Sequence, residues 1–254
     1  MRLKDKVAIV TGGGSGFGEG IVRKFVAEGA QVLIADRDLA AGLRVAAAVG
    51  PAARALKVDV TDKTDVQLMM ETAELHFGRI DILVNNAGIG HLPQPLEELP
   101  EDEFDRITAV NMRAIYLAMR EIVPRFKANA PGVHGQRGVV LNMASTAGVS
   151  PRPRLAWYNA SKGWVITATR ACAVELAPAG IRVVALNPVA GDTPLLKTFM
   201  GEDTPEMRAK FLSSIPIGRL SLPEDLGNAA CFLCSDEATM LTGVCMEVDG
   251  GRCI

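Results

Sequence analysis

The sequence predicts one α/β domain in which helices cover both faces of a doubly wound parallel sheet. Apolar, β-rich runs alternate with helical patterns along its 254 residues, and this alternation requires right-handed crossovers between parallel strands. A glycine cluster directly follows the first run, as it does at the first strand-to-helix turn of such folds. No linker or low-complexity tract divides the chain, so we expect a single domain over residues 1–254.

The expected strands are seven apolar runs, at Val7–Val10, Val32–Ala35, Leu56–Val58, Ile82–Val84, Val139–Leu141, Val183–Leu186 and Val244–Val248. Helices are expected between most of them, at Gly18–Glu28, Asp65–Phe77, Phe104–Lys127, Trp157–Leu176 and Glu224–Leu233. The stretch from Pro188 to Pro216 lacks a periodic pattern. We interpret residues 189–216 as a loop over a binding site, because irregular segments of that length usually have such a role.

The composition is that of a globular protein, with 48% apolar and 22% charged residues. A formal net charge of −2 offers no general attraction for nucleic acid or an anionic membrane, and no apolar run is long enough to span a bilayer. The N-terminus lacks a signal-peptide pattern, and five cysteines do not suggest a disulfide framework. We therefore expect a cytoplasmic protein without a metal site, with Cys231 and Cys234 buried in an apolar helix.

The segment Thr11–Gly18 reads TGGGSGFG and lies between the first strand and the first helix. Glycines permit a tight turn and let backbone N–H groups approach a pyrophosphate, whose charge the helix N-terminus favours. The pattern predicts the phosphate loop of a Rossmann-type dinucleotide site, with contacts from Gly12, Gly14, Ser15, Gly16, Phe17 and Gly18.

Asp36 stands at the end of the second expected strand. A carboxylate there can accept hydrogen bonds from both ribose hydroxyls of an adenosine, and it would repel a 2′-phosphate. This position favours NAD as the cofactor. Arg37 follows and could instead pair with a 2′-phosphate, so NADP remains the alternative.

Tyr158 and Lys162 lie four residues apart in an expected helix, which places the phenol and the ammonium group on one face. A free phenol titrates near pH ~10, and a neighbouring cation favours the phenolate. The pair is a candidate for proton transfer, in which Lys162 would lower the pKa of Tyr158.

Taken together, these motifs resemble those of the short-chain dehydrogenase/reductase family over essentially the whole chain. Thr11-Gly12-x-x-x-Gly16-x-Gly18 resembles the family's cofactor loop, Asp59-Val60 its adenine contact, and Asn85-Asn86-Ala87-Gly88 its strand-end motif beside the cofactor. The resemblance implies further cofactor contacts from Asp59, Val60, Asn86, Ala87, Gly88, Tyr158 and Lys162.

The resemblance also implies a catalytic tetrad of Asn111, Ser145, Tyr158 and Lys162. In that mechanism Tyr158 exchanges a proton with the reacting oxygen, Ser145 holds that oxygen, Lys162 holds the nicotinamide ribose, and Asn111 anchors a water chain to Lys162. The implied activity is NAD-dependent hydride transfer between nicotinamide and a small secondary alcohol or ketone. An NADPH-dependent 3-oxoacyl thioester reductase is the alternative.

Two positions depart from the family pattern. Val189 stands at a position that is usually glycine, and Phe17 replaces a more common aliphatic residue. Thr193 still matches the position that meets the nicotinamide carboxamide in the family. We therefore expect Thr193 and Val189 to contact the cofactor.

Substrate choice is expected to depend on His91–Pro95, Ser150–Leu155 and Leu195–Pro216, which do not identify the substrate. Arg152, Arg154 and Lys197 could hold an anion, although arginines near loops usually face solvent. The resemblance further implies a homotetramer. A nucleotide-sensing binding protein and a structural subunit are the non-enzyme alternatives, and the four catalytic residues favour an enzyme over both.

Overall fold

Seven parallel strands form one sheet in a computed structural model that describes residues 1–201 and 204–254, in the order β3-β2-β1-β4-β5-β6-β7. The strands are β1 (Val7–Thr11), β2 (Gln31–Asp36), β3 (Ala53–Lys57), β4 (Ile82–Asn85), β5 (Gly138–Met143), β6 (Ile181–Pro188) and β7 (Cys245–Val248). In the register of the central strands, Val10 lies opposite both Ile34 and Val84. The predicted fold class and all seven predicted strands are confirmed, with ends that differ by up to a few residues.

Helices connect the strands and pack on both faces of the sheet. They are α1 (Gly16–Ala27), α2 (Leu39–Val49), α3 (Lys63–Phe77), α4 (Glu101–Thr108), α5 (Ala114–Ala128), α6 (Ala156–Leu176), α7 (Leu195–Met200), α8 (Pro205–Leu212) and α9 (Pro223–Cys234). The prediction of a single helix over Phe104–Lys127 was wrong in one respect, since a π-helical turn at Ala109–Arg113 separates α4 from α5.

The core has one layer on each side of the sheet. On one side, Phe25 of α1 and Leu226 of α9 pack against alternate residues of the central strands. On the other side, Met69 of α3 and Phe126 of α5 pack against the remaining set. Because both faces are covered, the central strands are continuous apolar runs, and this explains why the sequence revealed them. Cys231 and Cys234 are buried on α9, as predicted.

The prediction that Pro188–Pro216 is irregular throughout was wrong, because the segment contains α7 and α8. Thr204 caps α8 by accepting a hydrogen bond from the backbone N–H of Met207 at 3.2 Å, and Pro205 occupies the first turn. This Thr-Pro pair is a helix-start signal that could have been recognised. Glu202 and Asp203, which belong to the expected loop, lie outside the described residues.

Candidate active site

A cavity of about 500 Å³ lies at the carboxyl ends of the strands. The strand order reverses direction between β1 and β4, and this switch point is where open α/β sheets bind ligands. The cavity wall brings together most of the predicted contacts, namely Gly12, Ser15, Gly16, Phe17, Asp36, Asp59, Val60, Asn86, Ala87, Gly88, Ser145, Tyr158, Lys162, Val189 and Thr193. Gly14, Gly18 and Asn111 do not line the cavity. They contact residues that do.

The backbone conformation and close packing of the glycine loop disfavour any residue other than glycine at several positions. Gly12 and Gly16 have φ angles of +63° and +52°, a region that favours glycine. A Cβ atom at Gly18 would lie 2.1 Å from the backbone oxygen of Gly12. The loop therefore packs against the first turn of α1 and leaves the helix N-terminus facing the cavity, where an anion is stabilised.

Asp36 holds a fixed carboxylate at the end of β2. Its Oδ2 accepts a hydrogen bond from the backbone N–H of Gly14 at 2.8 Å, and its Oδ1 accepts one from that of Asp38 at 2.9 Å. Gly14 thus anchors Asp36 instead of lining the cavity. Arg37 lines the same cavity. Both residues that could determine the preference between NAD and NADP are therefore present there.

Two further predicted cofactor contacts, Asn86 and Asp59, are held in place by hydrogen bonds near the ends of the strands. The Asn86 amide nitrogen donates to the backbone oxygens of Thr11 and Gly12 at 2.9 and 3.1 Å, which ties β4 to the glycine loop. One carboxylate oxygen of Asp59 accepts hydrogen bonds from the backbone N–H and hydroxyl of Thr61 at 2.9 and 2.7 Å. These bonds lower the pKa of Asp59 and hold its charge at the cavity wall.

Tyr158 and Lys162 lie in the first turns of α6 and are both buried, with exposed fractions of 6% and 5%. The Lys162 Nζ lies 6.0 Å from the centre of the Tyr158 ring and donates a hydrogen bond to the backbone oxygen of Met143 at 2.8 Å. Ser145 follows β5, and its Oγ accepts a hydrogen bond from the backbone N–H of Ala147 at 3.0 Å. Three of the four predicted catalytic side chains therefore face one cavity.

The direction of the Tyr158 pKa differs from the prediction. Burial raises the pKa of Tyr158 to about 12, although a hydrogen bond with Ser145 and the charge of Arg152 act in the opposite direction. Burial also lowers the pKa of Lys162 to about 8. The cause is desolvation, which disfavours both charged forms and here outweighs the effect of neighbouring charges.

Asn111 lies in the π-helical turn and is 1% exposed. Its Oδ1 accepts from the backbone N–H of Ile89 at 2.9 Å, while its Nδ2 donates to the Ile89 oxygen at 2.9 Å and to Ser161 Oγ at 3.0 Å. A Cβ at Gly88 would lie 3.3 Å from Lys162 Nζ and 3.5 Å from Asn111 Oδ1. Asn111 thus fixes the segment after β4 beside Lys162.

Several contacts between cavity residues could not be recognised in the sequence. The Phe199 ring of α7 lies 4.8 Å from the ring of Tyr158, and the Arg152 guanidinium lies 4.3 Å from the centre of the Phe211 ring of α8. Phe17 packs closely on Gly191, since a Cβ there would lie 2.1 Å from Phe17 Cζ. These contacts join segments far apart in the sequence, and only the folded chain reveals them.

Two negative findings apply to residues 1–201 and 204–254. No helix in these ranges is both long and apolar enough to cross a membrane. Within the same ranges, no group of three or more His, Cys, Asp and Glu side chains could hold a metal ion.

Comparison with known proteins places this site in a family. Residues 12–252 match the family model described as Enoyl-(Acyl carrier protein) reductase. The chain is similar to 4-formylbenzenesulfonate dehydrogenase of Comamonas testosteroni, with 43% identity over 99% of each chain. It is also similar to galactitol 2-dehydrogenase of Agrobacterium fabrum, with 36% identity over 99% of each chain.

Solved structures are similar as well. A 3-ketoacyl-(acyl-carrier-protein) reductase from Brucella melitensis, complexed with NADH, is 55% identical with a TM-score of 0.93, covering 99% of this chain and 100% of the other. The chain belongs to the short-chain dehydrogenase/reductase family. Within that family it is a short-chain alcohol dehydrogenase that acts on CH–OH groups with NAD(P).

Proposed function

We propose that the protein is an NAD-dependent dehydrogenase of small secondary alcohols, with Tyr158 as its general acid and base. The observation that carries this proposal is one cavity that contains Asp36 at the end of β2, Ser145 after β5, and Tyr158 and Lys162 in the first turns of α6. A protein that only senses the nucleotide needs the loop and Asp36. Burying a phenol and an ammonium group costs free energy, and a sensor would gain nothing from that cost.

The residues present fit a dinucleotide. The pyrophosphate would lie on the glycine loop, where Gly12 and Gly16 have positive φ angles and Gly18 has no room for a side chain. Asp36 would hold the adenosine ribose, and its charge would disfavour a 2′-phosphate. When bound, the nicotinamide ring accepts or delivers the hydride.

Tyr158 moves the proton. At neutral pH its raised pKa keeps the phenol protonated, so it can donate a proton to the carbonyl oxygen while the carbonyl carbon gains a hydride. In alcohol oxidation the phenolate takes the hydroxyl proton, and the carbon gives up its hydride. Ser145 would orient the reacting oxygen, and Asn111 would position Lys162 through the segment at Ile89. Reduction of a ketone thus consumes one hydride and one proton.

The substrates named for the relatives differ widely. They include galactitol, meso-2,3-butanediol for a dehydrogenase of Serratia marcescens and cyclopentanol for one of Comamonas, which supports a small hydroxylated substrate here. The Brucella structure is named as a 3-ketoacyl reductase and contains NADH. That name keeps a 3-oxoacyl thioester as the second candidate substrate, while its cofactor supports NAD over NADP.

We further propose that residues 1–254 act as one catalytic unit in a cytoplasmic homotetramer. The segment 189–216, with α7 and α8, covers the substrate side of the cavity, because Phe199 and Phe211 line the wall there. Val189 and Thr193 stay cofactor contacts in this proposal. Their place in the same wall supports that role.

The experiment that tests the function follows the absorbance of reduced nicotinamide. NAD and NADP are each offered with secondary alcohols, cyclic diols and sugars, and the reduced cofactors are offered with ketones and 3-oxoacyl thioesters. We expect turnover of a secondary alcohol with NAD. Turnover confined to NADPH and a thioester would contradict the proposal and identify Arg37 as the residue that reads the cofactor.

A further inference from the structure

The cavity wall near Tyr158 contains a guanidinium. Arg152 lines the cavity, is partly buried, and lies with its guanidinium carbon 4.3 Å from the centre of the Phe211 ring. Its charge lowers the pKa of Tyr158, and the phenolate in turn raises that of Arg152. Because Arg152 and Tyr158 line the same cavity, a positive charge lies in the wall that also contains the proton-transferring residue.

In the described part of the chain, no carboxylate contributes to the pKa of Arg152. The ionisable groups that shift the pKa of Arg152 are Arg252, Tyr158 and Cys253, and burial is the largest cause of its lowering. Arg252 is a second cation, and its buried Nε has no hydrogen-bond partner among the described residues. A partly desolvated cation without a counter-charge is unfavourable unless an anion joins it.

The position of Arg152 is set by the scaffold. The backbone oxygen of Arg152 accepts from Asn159 Nδ2 at 2.7 Å, and that of Arg154 accepts from the backbone N–H of Gln94 at 3.0 Å. Ser150 Oγ accepts from Arg252 Nη1 at 3.0 Å. Three bonds thus hold the segment before α6, and preorganised groups of this kind are what binding sites require.

We propose that Arg152 binds an anionic head group of the substrate. The substrate would be an alcohol or ketone joined through an apolar stem to a carboxylate or sulfonate. The stem would lie among Leu155, Phe199 and Phe211, which line the same wall. A planar guanidinium stacked on an aromatic face keeps its N–H groups free in the plane, where they match the oxygens of such anions. This inference rests on the proposed function, because it names the substrate class of the same site.

Paired ketones test the proposal. Reduction by NADH is measured for 4-acetylbenzoate against 4-acetylbenzamide, for 4-acetylbenzenesulfonate against its sulfonamide, and for 3-oxobutanoate against 3-oxobutanamide. The measured quantity is the ratio of kcat/KM for the anion to that for its neutral partner. Since a hydrogen bond to a charged group contributes more than a neutral one, we expect an anion preference of about 10- to 100-fold in at least one pair.

Three variants distinguish the contribution of Arg152 to this ratio from a general effect of positive charge. Arg152→Met is expected to bring the ratio close to one, and Arg152→Lys to retain part of the preference. Arg154→Met removes an equal charge from an exposed side chain of the same segment and should keep the wild-type ratio. Circular dichroism and melting temperature establish that each variant is folded.

The proposal is overturned if no anion is preferred in any pair, or if Arg154→Met lowers the ratio as much as Arg152→Met does. Absence of NADH oxidation with every ketone would count against the proposed function instead. In that case, calorimetric titration of 4-acetylbenzoate and 4-acetylbenzamide in the presence of NADH decides whether Arg152 forms an anion site. Tighter binding of the benzoate that is lost in Arg152→Met supports the site, and equal binding overturns it.

Discussion

Asp36 and Arg37 have opposite charges in the wall of one cavity, and their balance determines which cofactor the site prefers. Replacing Asp36 by Ser removes the charge that disfavours a 2′-phosphate and leaves Arg37 to attract it. We expect Asp36→Ser to shift the kcat/KM ratio of NAD to NADP by about 100-fold towards NADP, since each ~1.4 kcal/mol corresponds to tenfold. Steady-state rates with both cofactors measure this, and an unchanged ratio would exclude Asp36 as the selector.

The pH profile follows from two buried groups. The pKa of Lys162 is lowered to about 8 and that of Tyr158 is raised to about 12, so Lys162 loses its proton first and Tyr158 stays protonated. Alcohol oxidation needs the phenolate of Tyr158, whose population grows with pH up to the pKa of the phenol. Log kcat/KM for oxidation should therefore rise with pH and continue to rise above about pH 8.

Ketone reduction should not show this rise, because it needs the protonated phenol, which is the main form of Tyr158 below its pKa of about 12. Its kcat/KM should be nearly constant from about pH 6 to 9. Initial rates in both directions across this range provide the measurement. Oxidation that is independent of pH from about pH 6 to 9 would be inconsistent with Tyr158 as the proton acceptor.

Helix α1 packs so closely against α9 that one position in α1 has room only for glycine. A Cβ atom at Gly20 of α1 would lie 2.1 Å from the backbone oxygen of Pro223, at the start of α9. Gly20→Ala would push the two helices apart, and we expect a loss of about 2–4 kcal/mol in the free energy of unfolding. Urea denaturation measures the change.

Gly163 of α6 provides the matched control. The nearest atom to a Cβ there is the backbone oxygen of Gly148, at 4.0 Å. Gly163→Ala should stabilise the protein by about 0.5–1 kcal/mol, because alanine is the better helix former. Equal effects of the two substitutions would show that helix propensity, and not the contact between α1 and α9, determines the result.

How well each element could be predicted depends on its burial and length. The central strands were visible as apolar runs, whereas β3 lies at the sheet edge with only Ala53 buried, and its start was placed too late. α2 has no polar stripe in LAAGLRVAAAV, and it was missed. The short helices α7 and α8 span too few residues to show a period.

The motif residues of the site could be predicted because their spacing along the chain is local to one turn or one helix. Tyr158 and Lys162 need only α6, and Gly12 to Gly18 need only one loop. Arg152, Phe199 and Phe211 come from three separate segments, and their proximity depends on the tertiary fold. The raised pKa of Tyr158 was also missed, because burial is not visible in a four-residue spacing.

At the scale of the whole molecule, exposed apolar side chains on α6 and α5 support the proposed homotetramer. Val174 is 80% exposed and Tyr116 is 51% exposed, and burial of such residues against a second copy would be favourable. We expect the wild-type protein to sediment as a tetramer and Val174→Glu to shift it to a smaller species.

Leu75→Glu on α3 is the control for that shift, since Leu75 is equally exposed, at 81%, and lies outside α5 and α6, the helices that this proposal places at the interface. Analytical ultracentrifugation of the three proteins distinguishes the cases. A wild-type monomer, or equal dissociation of both variants, would contradict the assignment of the interface to α5 and α6.

The central claim is that Tyr158 moves the proton, while the glycine loop and Asp36 provide most of the binding of the cofactor. Its most direct test compares Tyr158→Phe with the wild type in two measurements, turnover of a secondary alcohol with NAD and calorimetric binding of NADH. We predict that turnover falls by at least about 1,000-fold, towards the upper end of what general acid–base catalysis contributes, while the dissociation constant of NADH changes by less than about threefold. Retained turnover in this variant would contradict the proposed mechanism.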